Sequence, residues 1–90
     1  MGEEAVKRRL IRAKKMAESI LRKSGYEIIP STNKNFCLVG TRRAEVRMIR
    51  IVIDQINDSD KKAIEAFSLP GNCTREIWCK KGGEFEIVEI

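Results

Sequence analysis

Ninety residues with 18 Lys and Arg against 13 Asp and Glu give a formal charge of +5 and a pI near 9.4, and 42% of the side chains are apolar. A chain of that size makes one small basic domain that buries about 60–65% of its unfolded surface, which excludes two domains closing on a deep cleft. No run approaches the ~18 apolar residues of a membrane span, and the opening MGEEAVKRRL lacks the apolar stretch of a secretory leader, so the expectation is a cytoplasmic protein without a membrane partner.

The first element is a helix over Glu3–Ser24, where Val6, Leu10, Ala13, Ala17, Ile20 and Leu21 recur at three- and four-residue steps and form one apolar stripe. Gly25 ends it as a left-handed cap residue, and Glu3, Glu4, Arg22 and Lys23 suit the helix dipole. A short strand follows over Tyr26–Ile29, stopped by Pro30, and Ser31–Asn35 is a polar loop. Phe36–Thr41 and Val46–Ile53 are a hairpin turning through Arg42, Arg43 and Ala44, and the apolar end of the second strand places it inside a sheet. Cap-type residues at Asn57–Asp60 start a short helix with Ala63, Ile64 and Phe67 inward, stopped by Leu69, Pro70 and Gly71. Arg75–Lys80 and Glu84–Ile90 close the chain as two strands around Lys81, Gly82 and Gly83. The order αβββαββ, uninterrupted by repeats or linkers, predicts a single α/β domain over residues 1–90.

Charge is unevenly distributed along this order. Residues 1–50 hold 13 basic and 5 acidic side chains, whereas residues 51–90 hold 5 basic and 8 acidic ones. A positive field on the first helix and hairpin favours a polyanion, and nucleic acid before membrane because no apolar anchor accompanies it. The candidate contacts are Lys7, Arg8, Arg12, Lys14, Lys15, Arg42, Arg43 and Arg50. A solvated helix face produces the same pattern on the helix, and for Arg50 an ion pair with Glu18 or Glu27 is an equal alternative.

The absence of histidine removes imidazole catalysis and the common zinc sets, and Cys37, Cys73 and Cys79 form no CxxC pair. Cys37 reads as a small buried hydrophobe, and Trp78 as a core or dimer-interface residue rather than a base-stacking platform. Asp54 reads as the polar end of a strand, Glu27 as an outward strand residue and Asp60 as a helix cap.

Taken together, LRKSGYEII, STNKN, FCLVGTRRAEVRMIRIVI and REIWCKKGGEFEIVEI resemble the restriction-endonuclease-like superfamily, and within it the archaeal Holliday junction resolvase-like branch. The resemblance implies a central mixed sheet flanked by helices, with a Mg²⁺ site laid across the hairpin strands and the first helix. It places Cys37 where that family has a metal-binding Asp, Arg50 and Val52 where it has Glu and Lys, and Lys14 where its helix carries a carboxylate. Cations at Lys14 and Arg50 repel a divalent metal and suit a phosphate oxygen. The expectation is a catalytically inactive nuclease-fold domain, with no metal or other cofactor, that holds a nucleic-acid backbone, DNA above all. Two alternatives stand beside it: a module that dimerises or docks on an active partner subunit through the apolar closing strand, and a nuclease whose site has moved to Glu18, Glu27, Glu45 or Asp54.

Overall fold

A computed structural model describes residues 2–31 and 33–90; Met1, Thr32 of the expected polar loop and the side chain of Glu3 lie outside the described residues. The elements are α1 (Gly2–Lys23), β1 (Glu27–Pro30), β2 (Leu38–Arg42), β3 (Glu45–Ile53), α2 (Asp58–Glu65), β4 (Cys73–Lys81) and β5 (Glu84–Glu89). The five strands form one mixed sheet in the order β1-β2-β3-β4-β5. Antiparallel pairing joins β1 to β2, β2 to β3 and β4 to β5, while β3 and β4 run parallel. A parallel pair needs a crossover, and α2 supplies it. Among the described residues no helix is long and apolar enough to cross a membrane.

The end of α1 is built by its sequence. Gly25 takes φ +89, its N–H bonds the Arg22 carbonyl at 3.0 Å, and the Tyr26 N–H bonds the Leu21 carbonyl at 3.0 Å. That double bond is a Schellman cap, and it turns the chain directly into β1. Leu21 and Tyr26 then pack over Gly40 of β2, where an added Cβ would stand 3.4 Å from Leu21.

Alternation along β3 divides the core into two layers. Ile49, Ile51 and Ile53 face α1 with Ala13, Ala17, Leu21, Leu38 and Trp78, whereas Met48 and Val52 face α2 with Ile64, Ile77 and Phe36. The N-terminal half of α1 lies over the ends of β3 and β4, near Ile53 and Lys80, and its C-terminal half lies over β1.

Polar side chains bind the layers together. Glu76, 4% exposed, accepts two bonds from Arg47, at 2.8 and 2.5 Å, one from Thr74 at 2.5 Å and one from the Trp78 Nε1–H at 3.0 Å. The Arg47 guanidinium also lies 5.3 Å from the Tyr26 ring centre and 5.4 Å from that of Trp78. On the other face, Arg75 donates to the carbonyls of Glu65 and Phe67, which α2 leaves unpaired at its end.

Burial pushes the Glu76 carboxyl up, but hydrogen bonds from Arg47, Thr74 and Trp78 more than reverse this and hold it below the ordinary value of 4.5. A lowered folded-state pKa contributes stability above the unfolded value, and that contribution disappears as pH falls through the folded value. Urea unfolding followed by the fluorescence of Trp78, the sole tryptophan, should therefore show stability falling with acidification below pH ~4.5, and falling less steeply in Glu76→Gln. Glu76→Ala strands a part-buried guanidinium and an indole N–H, and should cost about 3 kcal/mol at neutral pH in the same measurement.

Candidate functional site

The eight cations expected to form one surface separate into three groups. Lys7, Arg8, Arg12, Lys14 and Lys15 are all exposed on α1. Among the described residues no carboxylate lies within ion-pair distance of any of them. At 1.5 Å rise per residue, Lys7 to Lys15 covers about 12 Å of the helix axis.

Arg42 and Arg43 sit at the tip of the β2–β3 hairpin, against the other end of α1. Arg42 donates to the Ser24 carbonyl at 3.0 Å and to Glu45 at 3.3 Å, and lies 4.6 Å over the Tyr26 ring. It ties the hairpin to the helix cap. The Tyr26 hydroxyl donates to Glu45 at 2.7 Å; this bond first, and then the charge of Arg42, lowers the Glu45 carboxyl. Arg43 is exposed and holds a left-handed φ of 55 in the two-residue turn between Arg42 and Glu45.

Arg50 stands apart. Its guanidinium donates to one carboxylate oxygen of Asp60 at 3.1 and 3.0 Å and to the Asn35 carbonyl at 3.1 Å. The second Asp60 oxygen accepts the N–H of Asn57, the residue before α2, at 3.1 Å. The ion pair expected for Arg50 is thus made with Asp60, not with Glu18 or Glu27, because Arg50 turns toward α2 while α1 lies on the other side of the sheet. Asp60 is the helix-capping residue its position suggested.

The positions picked out by the family resemblance are partly brought together. A shallow groove of about 290 Å³ is lined by Lys14, Cys37, Arg50, Leu10, Ile11 and Ile51. Val52 is not in that lining and packs in the α2 layer. Cys37 precedes β2 rather than lying within it, and its sulfur accepts the Ile51 N–H at 3.3 Å, capping β3 where β2 has ended. With the Arg50 charge answered by Asp60, Lys14 is the groove's one cation without an ion-pair partner among the described residues.

The acidic residues considered as a relocated site are dispersed. Asp54 bonds Arg9 at 2.9 Å, Glu45 serves Tyr26 and Arg42, and Glu18 and Glu27 lie outside any described ion pair. Among the described residues no three Cys, Asp or Glu side chains come close enough to hold one metal ion. Burial pushes the Cys79 thiol up, consistent with a packing role, and the three cysteines are free.

Two residues absent from the sequence-based set belong with the basic surface. Arg9 and Lys80 line, with Arg12, a cavity of about 180 Å³ floored by Ala13 and Ile53. Arg9 stood inside the basic run, but Lys80 comes from a strand 68 residues after Arg12, and only the parallel β3–β4 register carries it there.

Arg50→Met should lower stability by about 2 kcal/mol in urea unfolding, since it strands Asp60 at the start of α2 and removes charge-assisted bonds. The paired substitution Arg50→Met with Asp60→Asn should recover part of that loss, which identifies the two side chains as a unit. No protein-family model, curated protein or solved structure matches this chain, so the functional reading rests on the geometry itself.

Proposed function

We propose that the domain binds the backbone of nucleic acid, DNA in the first place, through the exposed face of α1, and that it does so without cutting. The observation that carries the proposal is the separation of charge. Lys7, Arg8, Arg12, Lys14 and Lys15 share one exposed helix without described carboxylate partners, whereas Glu84, Glu86 and Glu89 lie on β5 at an outer edge of the sheet. A solvated face that served only solubility would gain from alternating signs along the helix. A run of one sign is repelled by itself and is relieved by a polyanion, whose phosphates release counterions as lysine and arginine replace them.

The scaffold we infer is restriction-endonuclease-like. Support comes from the element order, the antiparallel β1-β2-β3 meander followed by a helical crossover to a parallel β4, and the groove where Lys14, Cys37 and Arg50 meet. The four positions that the resemblance assigns to metal-dependent cleavage hold Lys14, Cys37, Arg50 and Val52, none of which is a hard oxygen ligand. In this reading the former cleavage groove is not the binding surface, because the Arg50 charge is spent on Asp60; the outer face of α1 is.

Fluorescence anisotropy with labelled duplex, four-way-junction and single-stranded probes tests the reading across a salt series. Each phosphate contact contributes a slope of about −0.9 in log affinity against log salt. Replacing Lys7, Arg8, Arg12 and Lys15 together by alanine should reduce the slope by up to about 3.6 and weaken binding more than tenfold at low salt. Arg50→Met, once shown by circular dichroism to be folded, should leave the slope unchanged. Absent or salt-independent binding by the native chain overturns the proposal, and so does cleavage of the probes in Mg²⁺ or Mn²⁺ that Asp54→Asn or Glu18→Gln abolishes.

A further inference from the structure

Strand β5 is an outer strand of the sheet, and its backbone polarity can be read from one bond. The Ile90 N–H donates to the Arg75 carbonyl at 2.8 Å, continuing the register that sets Glu76 opposite Glu89. Because backbone groups alternate along a strand, Glu84, Glu86, Val88 and Ile90 turn theirs toward β4, and Phe85, Ile87 and Glu89 turn theirs outward. The pairing of β5 with β4 is unbroken from Glu84 to Glu89, so no bulge twists this edge away. It contains no proline and no lysine, and its only charges are the carboxylates of Glu84, Glu86 and Glu89. The opposite edge is different: β1 has four residues and ends in Pro30. At the middle of β5, Ile87 is 48% exposed on the α1 side of the sheet, beside Phe85, which packs on Trp78 with ring centres 5.3 Å apart.

We propose that β5 pairs antiparallel with β5 of a second copy of this chain, about a two-fold axis through Ile87. The side-chain pattern selects that register. Only axes through a residue match outward backbone groups with outward ones; an axis between residues sets each against a group already turned to β4. An axis through Glu86 places that carboxylate against itself, and one through Phe85 sets Glu84 against Glu86. An axis through Val88 pairs Ile87 with Glu89 and leaves Phe85 without a partner. With the axis through Ile87, that residue meets its own copy, Phe85 stands opposite Glu89 and Glu86 opposite Val88. No carboxylate then directly faces another, and every outward residue of β5 is used, so charge and backbone geometry favour one arrangement.

Such an axis is perpendicular to the sheet. The two five-stranded sheets become one of ten strands, and both α1 helices come to the same face of it. The surface therefore commits to a second copy of the chain as its occupant, independently of whether α1 binds nucleic acid.

Light scattering from dilute to millimolar protein should give a mass approaching twice the 10.3 kDa of the chain, dissociating on dilution. Ile87→Lys should be monomeric throughout while keeping the native circular dichroism spectrum. A gain-of-signal variant guards against simple misfolding. Facing residues of a hydrogen-bonded antiparallel pair have Cα atoms about 5.5 Å apart, within disulfide reach, so Ile87→Cys should cross-link to a covalent dimer under mild oxidation. In the same register Val88→Cys is offset from its own copy, and should cross-link roughly tenfold more slowly or not at all. The native chain, treated identically, controls for its own three thiols. A native chain that stays monomeric at millimolar concentration overturns the proposal, as does Val88→Cys cross-linking as fast as Ile87→Cys.

Discussion

The middle strand of this sheet carries two arginines on opposite faces, and the fold is arranged to answer both. Arg47 points to the α1 side and meets Glu76 of β4; Arg50 points to the α2 side and meets Asp60 at the start of α2. A guanidinium this far into a small domain is costly unless its charge and donors are met. Each pair also spans separate pieces of structure. Arg47 and Glu76 lie on adjacent parallel strands and collect Thr74, Trp78 and Tyr26 around them. Arg50 joins β3 to the first turn of α2 and to the loop before β2. Neither β4 nor α2 can move relative to β3 without exposing an unpaired charge, so the parallel pair and its crossover are held by the same groups that make β3 chemically unusual.

That arrangement decides where the positive field of the protein is available. Arg47, Arg50 and Arg75 are committed inside the fold, and Arg42 is committed to the cap of α1. The net charge of +5 is a property of the whole chain, but the exposed cations lie mainly on α1, with Arg43 at the hairpin tip and Lys34, Lys61, Lys62 and Lys81 scattered elsewhere. Counting charge by halves locates the excess correctly and overstates how much of it is free.

Much of the architecture was legible because local signals agree with it. The stripe from Leu10 to Leu21, the cap glycine at 25, the turn through Arg43 and Ala44 and the capping aspartate at 60 each depend on neighbours in sequence. The strand ends differ for reasons that are not local. β2 begins at Leu38, not Phe36, because Cys37 leaves the pleat and offers its sulfur to Ile51. β4 begins at Cys73, not Arg75, because the parallel ladder with β3 already starts at Val46 opposite Cys73. The polar partners were the least legible. Arg47 and Glu76 are 29 residues apart, and Arg75 finds the carbonyls of Glu65 and Phe67 only after the crossover is in place. Periodicity tells which face a strand residue takes; the register across a parallel pair depends on a connection whose length and path no alternation encodes.

Arg50 shows how a charge can be misread from sequence alone. Set against the nuclease pattern, a cation in place of a carboxylate suggests a metal groove converted into a phosphate groove. Its surroundings in the fold give the charge a different logic. Asp60 already has a task at the start of α2, where one of its oxygens accepts the Asn57 N–H, and its other oxygen needs a donor in a part-buried place. Arg50, reaching from β3 on the same face of the sheet, supplies two, and a third donor goes to Asn35. A glutamate at position 50 would instead set a second carboxylate against Asp60 and pull the loop and helix apart. Arg50 is therefore required where it stands by α2, and its positive charge, being neutralised there, adds little to any field felt by a ligand.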